Sequence, residues 1–465
     1  MSLEPGDESP LATAVEAARW IRAAAVDDGR GRHWRANPDP HGRAAMPDHP
    51  LSLYSGAAGI VLFFLELAAA TGDDDYLGDV RAGARYLVST WREQADLSLH
   101  QGLTGVMFAL SEAGWATGEQ EFEVEAGAIA DRVVRSARRI DGGLGWTGDP
   151  AQRGDGGTIL GLLHAAGILG VPAYQEVAVE AGNRIAALVV PGHRFGEEAC
   201  ADLPLDAVTP GFLSGTAGTA FVLARLYGVT GESRFLDAAR RGADFVRAVS
   251  TVTERCALVP HHLPQGRDLH YLGFCSGSAG VARMFYELHR VSGVPGAPGL
   301  PGGLGGLGVS GAPGEVPDDA GDLDWAERLA RGIVRSGAPP VQSGGYWNSA
   351  CQCCGTAGLV ELFVGLWAAT GERRHLEYAR TLGADLAARA TRHDGRGSRW
   401  YQAYRRLRPG EVTADTGYMV GAAGIGAALL HLDATAHPKE ARRLVLPPDN
   451  PFPAIPVPSS TLRRS

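Results

Sequence analysis

Three of the six cysteines in this 465-residue chain fall inside one tetrapeptide, Cys351-Gln352-Cys353-Cys354, and a fourth, Cys275, stands two residues ahead of Gly277. Cys354 directly precedes Gly355. Thiols clustered in this way suit a soft metal ion or a nucleophile better than a disulfide framework. Zn²⁺ takes thiolates readily, and three of them leave its fourth tetrahedral position open to a ligand from outside. Cys275, Cys353 and Cys354 are therefore the expected zinc ligands. Cys351 would close the site as a fourth ligand and make the metal structural, so its place decides between two uses. Cys200 and Cys256 lie apart from the cluster and read as small buried hydrophobes.

A repeat must bring Cys275 to the Cys353-Cys354 pair. Its signature is Gly-x-x-Gly, at Gly56-Ala-Ala-Gly59, Gly102-Leu-Thr-Gly105, Gly215-Thr-Ala-Gly218, Gly277-Ser-Ala-Gly280, Gly355-Thr-Ala-Gly358 and Gly421-Ala-Ala-Gly424. A degenerate seventh copy reads Gly161-Leu-Leu-His164. Successive units start roughly 45 to 80 residues apart. An almost wholly apolar run follows each motif, as in Ile60 to Ala68, and a helix without a polar face belongs in an interior. Turns at Thr71-Gly72, Thr117-Gly118, Thr230-Gly231 and Thr370-Gly371 end these runs, glycine supplying the left-handed cap. A second, amphipathic run follows, as in Ser233 to Gly242. Buried inner helices alternating with half-exposed outer ones predict an all-α fold, an α/α toroid of seven repeats. The loops ahead of the inner helices then converge on one end of a central cavity. Both cysteine groups lie in such loops, where helix N-termini favour thiolate over thiol.

One toroidal domain over residues 1–446 accounts for this pattern. The Gly/Pro-rich stretch 293–322 reads as a flexible insertion between the two helices of the fifth unit, and the proline-rich 447–465 as a disordered tail. A net charge of -9 without a Lys/Arg cluster argues against a nucleic-acid partner. No apolar stretch is long enough to span a bilayer, and Met1 is followed by Glu4, Asp7 and Glu8 rather than a signal-peptide layout. A cytoplasmic location is expected. A glycosidase would need a carboxylate pair at the cavity, and no repeat start supplies a convincing one. A prenyltransferase or terpene cyclase would need aspartate-rich diphosphate motifs, whereas Asp73-Asp74-Asp75-Tyr76 reads as an exposed turn.

From about Leu51 to Asp433 the chain resembles the lanthionine synthetase C-like family, the cyclases of lanthipeptide biosynthesis and their relatives. Phe274-Cys275-Ser276-Gly277 stands for that family's Trp-Cys-x-Gly, and Cys353-Cys354-Gly355 for its Cys-His-Gly. The resemblance implies zinc and a Michael-type addition of a cysteine thiol to dehydroalanine or dehydrobutyrine. The partners it implies are a dehydrated precursor peptide or another thiol or dehydroamino-acid substrate, with a dehydratase or kinase-like enzyme alongside. This chain departs from the family's acid–base set. Ser214 replaces the His ahead of the fourth motif, Gly157 the Asp ahead of the third, Tyr271 the Arg ahead of the first zinc Cys, and Ser276 the Tyr after it. The candidate substitutes are His270, Tyr271, His164 and Asp155, with His100 ahead of the second motif. Trp347 and Trp400 read as packing aromatics. The departures motivate a second reading, a non-catalytic zinc-binding scaffold that binds a peptide or a partner modification enzyme.

Overall fold

The thirteen to seventeen residues of each apolar or amphipathic run become helix. In the computed structural model, which describes residues 9–45, 49–188, 203, 207–292, 320–339, 345–392, 394–437, 442 and 444–455, α1 (Pro10–Ala23) precedes six helical hairpins. These are α2 (Ala57–Thr71) with α3 (Asp75–Thr90), α4 (Leu103–Thr117) with α5 (Gln120–Arg135), α6 (Asp155–Leu169) with α7 (Pro172–Ala186), α8 (Thr216–Thr230) with α9 (Ser233–Val249), α10 (Ser278–Ser292) with α11 (Ala320–Arg335), and α12 (Thr356–Thr370) with α13 (Arg373–Arg389). α14 (Ala422–Ala434) follows alone. α2 is buried at every residue from Ala57 to Ala68. α9 buries only one side, through Phe235, Leu236, Ala239, Ala243 and Val246.

Each even-numbered helix packs on the next, and α14 packs back on α2, so the inner ring closes. Each odd-numbered helix lies against its own hairpin partner outside the ring. Among the described residues no helix follows α14 to cover it, and α1 takes that place. The result is the α/α toroid expected from the repeat, with an outer helix supplied from the other end of the chain. No described helix is long and apolar enough to cross a membrane.

The turns and motifs have local causes. In the Thr-Gly turns the threonine hydroxyl donates to the carbonyl four residues back, as Thr230 does to Leu226 at 2.8 Å, and accepts from the N–H two residues on, here Glu232 at 3.2 Å. Gly231 between them has φ +70°, which an L side chain rarely adopts. The second glycine of each Gly-x-x-Gly lies against the carbonyl that enters the inner helix. A Cβ on Gly218 would stand 1.7 Å from the Phe212 oxygen, and one on Gly424 would stand 1.6 Å from that of Tyr418.

That contact also corrects the third motif. α6 is capped by Gly154, and a Cβ on Gly157 would lie 2.1 Å from the Gln152 oxygen. The third copy is therefore the intact Gly154-Asp155-Gly156-Gly157, and Gly161 to His164 lies inside the helix. The residue four before its first glycine is Pro150 rather than Gly157.

Residues 293–319 and 456–465 of the expected insertion and tail lie outside the described residues. The segment 444–455 is packed into the ring, contrary to the reading of a disordered tail from 447. The Val445 N–H donates to Glu66 Oε1 at 2.6 Å, Arg225 donates to the Asn450 carbonyl at 2.7 Å, and Phe452 is buried beside Gly365.

Candidate metal centre

Aligning the inner-helix loops on the first glycine of each motif puts Tyr54, His100, Leu213, Cys275, Cys353 and Met419 at one equivalent place, two residues before it. These residues are joined by backbone hydrogen bonds that run round the mouth of the ring. The N–H of Leu213 donates to the Cys275 carbonyl (2.7 Å), Cys275 to Cys353 (3.0 Å), Cys353 to Met419 (2.9 Å), Met419 to Tyr54 (2.7 Å) and Tyr54 to His100 (2.8 Å). The backbone thus fixes the spacing between loops before any side chain is considered.

The side chains of Cys275, Cys353 and Cys354 meet on this circle. Cys275 Sγ lies 3.2 Å from Cys354 Sγ, which lies 3.6 Å from Cys353 Sγ. All three sulfurs fall within 4.8 Å of one another. Thiolates at about 2.3 Å from a tetrahedral zinc ion stand roughly 3.8 Å apart, so small side-chain adjustments fit the trio to one ion. Without an ion, hydrogen bonds from Cys353 and Cys354 hold the Cys275 thiol well below its ordinary range, and the same bonds push Cys354 and Cys353 up.

Cys351 is not in the group. It is buried with Sγ 3.3 Å from Ser349 Oγ, and burial pushes its thiol up to about 12. The described residues therefore offer a three-sulfur set. Cys256 sits in the hairpin strand Cys256–Leu258, and Cys200 lies outside the described residues.

Above the sulfurs opens a cavity of about 500 Å³, floored in part by Cys275 and Cys353. Its described lining includes Arg153, Arg405, Arg406, His261 and His262, and no carboxylate. Ser214 and Ser276 line it too. Of the four acid–base candidates, only Tyr271 is on this wall, its ring 4.0 Å from that of His261. Burial, and then the sulfurs of Cys354 and Cys275, raise its phenol above the ordinary value. Burial, then His262 and Arg406, push His261 down to about 3, so it is neutral.

The other three candidates are elsewhere. His270 shares a two-residue strand with Tyr271, and successive strand side chains face opposite ways. Its Nε2 lies 3.3 Å from Thr251 Oγ1, and burial lowers its pKa. His164 packs edge-on to Phe108 (4.9 Å) well along α6. Asp155 is fully buried, and its oxygens accept from Arg184 (2.7 Å), from the Thr147 N–H (2.7 Å) and hydroxyl (2.8 Å), and from the N–H groups of Trp146 and Gly148 (3.2 Å each). Trp400 is buried and donates to the Leu386 carbonyl at 2.8 Å.

Tyr54 was absent from the candidates, yet its hydroxyl donates to Cys353 Sγ at 2.9 Å. His100 lines the cavity as well, its Nε2 2.9 Å from the Asp449 carboxylate. His100 was a candidate for its place ahead of the second motif, and the same place in the repeat was the signal that could have found Tyr54.

The comparisons with known proteins agree with this architecture. A family model described as lanthionine synthetase C-like protein matches residues 47–442. A nisin cyclase structure is similar at 14% identity with a TM-score of 0.60, over 88% of this chain and 95% of its own. An α-1,2-mannosidase from Trichoderma reesei is similar at 12% identity with a TM-score of 0.55, over 91% and 92% of the two chains. Identities this low speak for the fold alone. No curated protein sequence matches the chain.

Proposed function

Since the chain belongs to the lanthionine synthetase C-like family, we propose that it forms carbon–sulfur bonds in a dehydrated peptide, adding a cysteine thiol to dehydroalanine or dehydrobutyrine. The observation that carries this reading is the trio Cys275, Cys353 and Cys354 at the floor of a cavity large enough for a peptide loop. The three sulfurs would hold zinc, which when bound favours the thiolate form of an incoming thiol. In the addition the sulfur bonds to the β-carbon, the C=C π bond breaks, and a proton is delivered to the α-carbon. Every atom is retained, so mass is unchanged while one free thiol disappears per ring.

Tyr271 is a sequence candidate that faces this space, and it keeps a phenolic O–H to offer. Neutral His261 beside it can donate an N–H, and Arg406 supplies positive charge where an enolate would develop. The described cavity wall lacks the carboxylate pair on which a glycosidase would depend, despite the fold shared with a mannosidase.

Incubation with a dehydrated, cysteine-containing peptide tests the proposal. The expected result is thiol loss at constant mass that Cys275→Ala abolishes. Ser214 on the cavity wall, in place of a histidine, favours a second reading in which the chain binds the modified peptide without turning it over. Tight peptide binding with no thiol loss across varied sequences would establish that reading instead.

A further inference from the structure

Tyr54 belongs to the first repeat unit and Cys353 to the sixth, with Met419 of the seventh between them on the backbone circle. The Tyr54 side chain spans that gap to place its oxygen 2.9 Å from Cys353 Sγ. Tyr404, from the loop after α13, hydrogen-bonds the Tyr54 oxygen and has its own 3.9 Å from the same sulfur. Tyr54 is 4% exposed, so water does not compete freely for this contact.

Three thiolates against one divalent cation leave a net negative centre in a largely buried place. Each such sulfur holds its charge more readily when a fixed donor points at it. Cys275 has the neighbouring Ser276 hydroxyl. For Cys353, fully interior at 1% exposure, the donor is a phenol carried across the ring. We propose that Tyr54, steadied by Tyr404, is a positioning residue whose hydroxyl holds the Cys353 sulfur aimed as a metal ligand. This rests on the three sulfurs being the ligand set. Partners beyond the ligands typically change metal affinity by about 10- to 100-fold when removed.

The test is zinc affinity by competition with a chromophoric chelator, on full-length wild type, Tyr54→Phe and Tyr404→Phe. Tyr54→Phe keeps the ring and removes only the hydroxyl. The expected result is a loss of about tenfold or more, with half-release of zinc moving to higher pH because protons compete better for Cys353. Tyr404→Phe should lose less, since it acts through Tyr54. If the tyrosines only pack the cavity floor, both variants match wild type within twofold with unchanged release pH, and the proposal fails. If Tyr54→Phe does not fold, Tyr404→Phe decides, because unchanged affinity there is equally adverse. A wild type that binds no zinc, and does not differ from Cys275→Ala, overturns the ligand set itself and this inference with it.

Discussion

Cys353 and Cys354 are adjacent in sequence and still face one point, because they precede α12 in a loop instead of lying within a helix. On a helix their side chains would diverge by about 100°. Cys351, two residues earlier, turns the other way onto Ser349. The expected outcome of metal analysis is therefore about one zinc per chain for wild type and for Cys351→Ala, and none for Cys275→Ala or Cys353→Ala. Loss of zinc from Cys351→Ala would mean that the site is closed by four sulfurs. That these three sulfurs meet was legible because the cysteines combine a diagnostic residue type with a fixed place before a glycine. Tyr54 holds the same place, but tyrosine occurs in too many roles to stand out there as the candidate His100 did. His270 and Asp155 were chosen for nearness along the chain. Strand alternation turns one away from the cavity, and the Trp146–Gly148 loop with Arg184 saturates the other.

At the scale of elements, two kinds of glycine make different demands, and substitutions should separate them. Gly231 needs its left-handed backbone but has open space around it, so Gly231→Ala should cost about 1–2 kcal/mol. Gly218 has no such backbone requirement, but a Cβ there would stand 1.7 Å from the Phe212 carbonyl oxygen, so Gly218→Ala must push α8 off its entry loop. A cost of about 1–3 kcal/mol or more is expected, with weakened zinc binding, because that loop is hydrogen-bonded to Cys275. Chemical denaturation and metal titration of both variants check this, and zinc affinity lowered equally by the two would contradict it. The hairpin repeat was readable because apolar runs, Thr-Gly turns and amphipathic runs recur in register. The third motif was misplaced because Asp155-Gly156-Gly157 masks the motif at Gly154. The role of α1 was not readable, since its partner α14 lies some four hundred residues away and no local pattern links them.

The molecule as a whole carries charge in its interior. His431 of α14 lies between Glu361 Oε2 (2.9 Å to Nδ1) and Glu66 Oε1 (2.6 Å to Nε2), joining α14 to α12 and α2. Burial opposes the imidazolium, but the two carboxylates prevail and hold His431 well above its ordinary value, while His431 lowers Glu361 against its own burial. The raised histidine stabilises fully below about pH 6.5, its unfolded value, and this is lost as pH rises through its folded pKa. The lowered Glu361 stabilises above about pH 4.5 and loses this as pH falls through its folded pKa. The joint contribution is thus greatest between those two limits. His431→Leu strands two buried carboxylates and should cost about 3–5 kcal/mol near neutral pH, measured by denaturant titration. A variant as stable as wild type at pH 6 would show the triad to be energetically idle.

Closure of the ring, with α1 covering α14, has a consequence in time. A ribosome makes α1 some four hundred residues before α14, so the apolar flank of α1 waits for its partner while all six hairpins are made. Cys275 and Cys353 come from consecutive units, whereas Tyr54 reaches Cys353 across the gap that the seventh unit spans. The sulfurs of two neighbouring hairpins can thus meet before the ring shuts, and the phenol from the first unit is the part of the centre that waits for closure.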